Sequence, residues 1–291
     1  MYLKINPIFA VTAFVLVMPI IFSCSSQPKN QGDINQYRVQ AEMLLESGNR
    51  ETGKGNYDNA LILIDEGKRL ATLADDPSLI IRTSLSRANV IYSLGKTDEA
   101  FAEWRQAVAE AEKFGDIELI SAAKIYLARG ELISKRNSAQ SVLDIVSGEQ
   151  SNIRTNQLYI AVSWQVRGLA LRSLGKFKDA EEAFTQSAAI HEKNLFFENA
   201  SYDWYSIASS RSLSGDFNGA VQALEKSIEI DRRIENSWGL AASWRAMGDV
   251  YRKMGNEQKA LEAYNRSISI YKAMGNSYEV SQTELKIKEK Q

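Results

Sequence analysis

The chain has 291 residues, 44% of them hydrophobic and 24% charged, with 35 Lys and Arg against 36 Asp and Glu, one His and one Cys. That balance leaves no general basic footprint for nucleic acid, and a lone cysteine excludes an intramolecular disulfide or a multi-cysteine metal site. One histidine without further nitrogen or sulfur ligands leaves no such metal site, and no Ser-His-acid triad, to assemble.

In chain order, Lys4 precedes an uncharged apolar run from Ile8 to Phe22, and Ser23-Cys24-Ser25-Ser26 follows. This is the layout of a secretory signal, with a positive start, an apolar middle and small residues at a cleavage point. Pro19 and the short run argue against a spanning helix. Ile21-Phe22-Ser23-Cys24 resembles the bacterial lipobox, and the resemblance implies cleavage after residue 23 and diacylation of Cys24. Lipid at Cys24 would hold a soluble domain on a membrane from outside the cytoplasm. The expected location is therefore the bacterial cell envelope, with the outer membrane favoured because Ser25 stands where enterobacterial inner-membrane lipoproteins carry Asp. Residues 24–36 are polar and read as a flexible tether. Losing Lys4 leaves 34 basic against 36 acidic residues, a formal charge of −2.

From about Tyr37 the chain repeats itself every 40 residues. Trp164, Trp204 and Trp244 open three copies; Gly175, Gly215 and Gly255 interrupt them; Ala180, Ala220 and Ala260 restart them; Phe184, Leu224 and Tyr264 follow four later. The same ruler carried backwards meets Gly95, Ala100 and Trp104, then Gly55, Ala60 and Ile64. The copy between misses, with Lys135 and Gln140 in the Gly and Ala places. Six repeats are expected over residues 37–276, the third degenerate. Each would be a helical hairpin, its first helix closed by a left-handed Gly cap. A second turn would fall at Asp75-Asp76, Gly115-Asp116, Glu235-Asn236 and Gly275-Asn276. A small residue recurs at Gly48, Ala88, Ala128, Gly168, Ala208 and Gly248, and predicts close approach of helix backbones.

The pattern resembles the tetratricopeptide repeat, read in the last copy as Trp244, Met247-Gly248, Tyr251, Ala260 and Tyr264. The period exceeds the family's usual ~34 residues, and the proline that closes its second helix is missing, as in long-repeat adaptors such as kinesin light chain. The resemblance implies an all-α, right-handed superhelical solenoid of about six helical hairpins, since one such unit cannot bury its apolar face alone. Residues 277–291 would be a capping helix, ending in Lys286, Lys288, Glu289 and Lys290. In repeat three the second helix is expected to stop near Ser147, with Gly148 to Asn152 forming a turn and a kink that halves the array.

Signals of chemistry are few. Gly48 to Lys54 is one residue short of a phosphate-binding loop, has Gly55 where a Ser or Thr is needed, and ends a helix instead of starting one. Ser121-Ala-Ala-Lys124 has the spacing of an acyltransferase nucleophile without its companion motifs. A carboxylate-only site stays open, although acids such as Asp179, Glu181 and Glu182 alternate with bases on helix faces and read as solvated surface. No catalytic residue, cofactor or metal is predicted. Trp164, Trp204, Trp244 and Trp104 fall at packing places and are expected in the core; Trp238 lies off the pattern and is expected to be exposed.

The expected function is that of a membrane-tethered, extracytoplasmic scaffold binding a protein or peptide, with no nucleic acid and no small-molecule substrate. If the Trp, Gly and Tyr places mark the packed side of each first helix, places two, five, nine and twelve form another stripe, which in repeat arrays faces the concave groove. It holds Arg82, Tyr92, Arg129, Arg172, Tyr202, Tyr205, Arg245, Asp249 and Arg252, with Tyr126 adjacent. Arginine forks suit carboxylates and tyrosines give amphipathic contact area, so the partner would be an acidic segment of another envelope protein. A competing reading pairs these arginines with acids of the array, such as Glu42, Glu46 and Asp249. A docking role beside a periplasmic solute-binding transport system is the alternative function.

Overall fold

A computed structural model describes residues 36–288. The signal, the Cys24 lipobox and nearly all of the tether lie outside the described residues. Thirteen α-helices pair into six hairpins and a closing helix. These are α1 (Gln36–Gly53) with α2 (Tyr57–Leu73), α3 (Pro77–Ser93) with α4 (Thr97–Phe114), and α5 (Ile117–Ile133) with α6 (Ala139–Glu149). Then come α7 (Gln157–Ser173) with α8 (Phe177–Lys193), α9 (Phe197–Ser214) with α10 (Phe217–Arg233), α11 (Ser237–Lys253) with α12 (Glu257–Ala273), and α13 (Ser277–Lys288). Each helix packs on the next, and α3 packs on α1 and α5, as α5 does on α7 and α9 on α11. The array is a helical repeat solenoid.

Turn chemistry fixes this spacing. The Gly place turns with positive φ, 91° at Gly215, a conformation that costs glycine nothing. In repeat three Lys135 adopts it at 58°, against the steric preference of a side chain. At the second turn the residue after the positive-φ position caps the next first helix: Asp76, Asp116, Asn236 and Asn276 each accept from a backbone N–H three residues on, at 2.9–3.1 Å.

The repeated alanines Ala60, Ala100, Ala180, Ala220 and Ala260 expose nothing. Where the small residue is glycine it answers to a side chain of its own hairpin: a β-carbon on Gly248 would stand 2.6 Å from the Tyr264 ring, and one on Gly168 2.7 Å from the Phe184 ring. Trp104 is in the core, but Trp164, Trp204 and Trp244 are only partly buried, packed on its margin. Trp238 is half-buried too, edge-on to Tyr271 at 5.6 Å. Periodicity marked the right helix face for the three repeated tryptophans, yet an indole is long enough to reach past the core and stay open at its far edge.

Repeat three is short, not broken. Its second helix has 11 residues and continues into a single 3₁₀ turn over Gln150–Asn152. Glu118 straps the following loop by accepting from the backbone N–H groups of Thr155 (2.9 Å) and Asn156 (2.7 Å). Leu132 and Leu143 pack against the apolar clusters on both sides, and the described residues form one compact unit. The two ends of the array also meet: a β-carbon on Gly55, between α1 and α2, would lie 3.6 Å from Trp238 Cε3 and 3.8 Å from Met274 Cε.

Candidate functional site

The stripe on the first helices divides into three parts. In repeat two, Arg82 lies 3.5 Å from Glu42, one of the internal acids named for it, and Tyr92 packs tilted on Trp104 at 5.7 Å. In repeat six the stripe is taken by α13. Arg245 binds Glu279, Asp249 accepts from Lys286 (3.0 Å) and the Tyr264 hydroxyl (2.7 Å), and Arg252 donates to the Lys286 carbonyl at 2.6 Å. These three side chains hold the closing helix, which the sequence had treated only as a cap.

Repeats three to five keep a different arrangement. Arg129 on α5 reaches past α7 to lie 6.0 Å from the Tyr202 ring on α9, and its Nε is buried without an acceptor. Arg172 rests 5.5 Å from the Phe184 ring. Among the described residues neither guanidinium has a carboxylate within ion-pair distance. Tyr126 meets Tyr159 edge-on at 6.5 Å; burial raises both phenols above the ordinary range, with Arg82 pulling back on each. The Tyr159 hydroxyl is buried without a partner. It lies one turn ahead of place two in repeat four, outside the places from which the stripe was read. Burial raises Tyr205 as well, against the charges of Arg245 and Arg172. The middle of the array thus presents two unpaired cations among tyrosines, a surface able to receive an anion in a setting of reduced solvent.

The stripe is tighter than an open groove. Place five is buried at Leu85, Ile125 and Gln165, because neighbouring first helices pack on one another there.

A second polar cluster brings a serine, the histidine and an acid together without forming a triad. His191, Ser187 and Asp203, all without exposed surface, do meet. Asp203 Oδ2 accepts from His191 Nδ1 at 2.6 Å, Ser187 Oγ stands 3.3 Å from that same Nδ1, and Gln165 donates to Asp203 Oδ1 at 2.9 Å. A nucleophilic triad needs acid and serine on opposite ring nitrogens and an approach for substrate. Here both share one nitrogen in a closed interior, so the cluster joins repeats four and five. Ser121 likewise donates to Glu149 at 2.6 Å, and Gly48 to Gly53 lie inside α1, so neither sequence near-match forms a site. Among the described residues no group of three His, Cys, Asp or Glu could hold a metal ion, and no helix is long and apolar enough to cross a membrane.

Residues 201–273 and 161–194 match the family described as tetratricopeptide repeat. Comparison with curated proteins finds no match. Among solved structures the fold is similar to that of a Rap protein complexed with competence and sporulation factor, at 15% identity and TM-score 0.58 over 86% of this chain and 74% of that one. Aspartyl phosphate phosphatase F from Bacillus subtilis aligns at 13% identity and TM-score 0.57 over 89% and 69%. BtubC (BKLC) from P. vanneervenii aligns at 18% and 0.55 over 82% and 93%. At these identities the likeness is one of fold.

Proposed function

We propose that the chain, which matches the tetratricopeptide repeat over residues 161–194 and 201–273, is a non-catalytic adaptor for protein–protein contact, tethered to a bacterial envelope membrane through lipid on Cys24, that receives an acidic segment of another envelope protein. The observation that carries the binding reading is the pair Arg129 and Arg172, half-buried and without carboxylate partners, beside Tyr126, Tyr202 and Tyr205. Two guanidinium forks left unpaired at reduced exposure favour a ligand that brings the missing carboxylates. A Rap protein, similar in fold, is complexed with a factor, which supports a ligand on an array of this kind. Arg245, Asp249 and Arg252 are excluded from the site, since α13 occupies them.

The test is a partner recovered by affinity capture and then titrated. Arg129→Glu with Arg172→Glu should weaken its binding at least tenfold, with helical content and melting temperature near wild type and with affinity falling as salt rises. Retained binding, or loss on changing the exposed Lys193 instead, would remove the inner stripe from the mechanism. For the anchor, Cys24→Ala should abolish lipid labelling and release the protein from membranes; unchanged partitioning and labelling would end the lipoprotein reading.

A further inference from the structure

On the side of α11 turned away from α13, two adjoining clefts of about 430 and 390 Å³ share Arg232, Trp244 and Arg266. Their size is that of ordinary ligand clefts, ~300–1,000 Å³. Leu240 and Ile270 line one, Met247 the other, so the indole has an apolar surround. Arg266 from α12 lies 4.6 Å from the Trp244 ring and Arg232 from α10 lies 5.8 Å from it. Both guanidinium groups belong to exposed residues, and neither has a carboxylate within ion-pair distance among the described residues.

The repeat itself shows what has changed here. One period earlier Trp204 holds the same place, and the residue matching Arg232 is Glu192, which accepts from the Trp204 indole N–H at 2.6 Å. Beside the tryptophan of repeat six, Arg232 of α10 stands in that acid's place, and no described residue accepts from the Trp244 N–H. A carboxylate at this place is exchanged for a cation, so the indole and two guanidinium groups share the cleft lining without an acid matching Glu192.

We propose that this outer cleft is a second docking site, taking a short segment of a partner protein in which an Asp or Glu carboxylate stands next to an apolar side chain. The carboxylate would lie between Arg232 and Arg266 within reach of the indole N–H, through charge-assisted bonds, and the apolar neighbour would cover Leu240 and Ile270. Asn265 and Ser269 on the rim can bond the segment's backbone. Glu225 and Glu262 also line the cleft and repel phosphate, which carries about two charges, more than a single carboxylate. The site is independent of the inner stripe, so either can fail alone.

The test uses the full chain and a fluorescein-labelled peptide of alternating Glu and Leu, with an alternating Gln and Leu peptide for comparison, followed by fluorescence anisotropy. The Glu peptide should bind at least tenfold more tightly than the Gln peptide. In a chain already carrying Arg129→Glu with Arg172→Glu, so that the inner stripe no longer contributes, Arg232→Glu with Arg266→Glu should cost at least a further tenfold. Circular dichroism checks that the double and combined variants keep their helical content; because all four side chains lie at the surface or half-buried, folding should persist. Equal binding of the two peptides, or binding that survives the Arg232 and Arg266 changes, overturns the proposal. Loss only in the Arg129 and Arg172 variant assigns the peptide to the inner stripe and overturns it too. Tighter binding of a phosphoserine-Leu peptide or of a single-stranded oligonucleotide overturns the carboxylate assignment.

Discussion

His191, Asp231 and Tyr271 hold one place in successive repeats, and none exposes any surface, yet each solves the problem of burying a polar group differently. His191 has Asp203. Asp231 has no cation within ion-pair distance: its Oδ1 accepts from Asn236 at 2.8 Å and its Oδ2 has no partner. Burial pushes its carboxyl up from 3.8 to about 6, against the pull of the Ser201 hydroxyl and the Asn236 amide. The folded chain therefore keeps a proton that the unfolded chain releases, so stability falls as pH rises from about 4 to about 6, and the charged form costs on the order of 3 kcal/mol at neutral pH. Asp231→Asn keeps an acceptor for Asn236 and removes the charge. Urea unfolding should find the variant more stable than wild type by about 1–3 kcal/mol at pH 7.5, with the advantage gone by pH 4; a difference independent of pH would refute the assignment. The 40-residue period puts these three residues in register but cannot tell core from surface for them, because a repeat place fixes direction and leaves the partner open. Asp203 comes from the next repeat, and no spacing rule joins it to His191.

Among the elements, α13 shows most clearly what the pattern could and could not say. Its polar residues and final lysines marked a capping helix, and the structure places a helix there. Its docking partners were unreadable because Arg245, Asp249 and Arg252 look the same in sequence whether they await a ligand or hold a cap. The hairpins themselves were legible, since turn glycines and Asx caps are local signals; the half-exposed tryptophans were not, since periodicity reports a direction and not a depth. Arg245 and Glu279 have side chains 24% and 15% exposed, so their pairing is shielded enough to contribute, unlike surface pairs. A double-mutant cycle on Arg245→Ala and Glu279→Ala, read by thermal unfolding, should give a coupling of about 0.5–3 kcal/mol, with the double variant less destabilised than the sum of the singles. Strict additivity would mean that α13 is held by Val280, which is buried against the Ala241, Ile268 and Tyr271 cluster, and not by charge.

At the scale of the whole array, the contact between its ends departs from what repeat proteins are usually built on. Stability in a solenoid is approximately a sum of repeat and nearest-neighbour terms, and a sequence period encodes only those. Curvature accumulates from small rotations at every interface, so the meeting of Gly55 with Trp238 and Met274 could not be read from any one copy. A β-carbon on Gly53 would likewise stand 3.4 Å from Glu198 Cγ on α9, which makes the closure a patch instead of a single touch. Trp238 packs edge-on against Tyr271 and against the apolar cluster of the last hairpin, so it links the first turn to repeat six. If that link carries free energy, removing the indole loosens two separated places at once. Trp238→Ala should lower amide hydrogen-exchange protection in α11 and α12, its own neighbours, and also in α1 and α2, nearly two hundred residues earlier in the chain. Trp164→Ala, on the core margin of repeat four, should lower protection around α7 and α8 and leave α1 unchanged. Protection in α1 and α2 that is unaffected by Trp238→Ala would reduce the closure to contact without coupling, and the array would then behave as a nearest-neighbour solenoid.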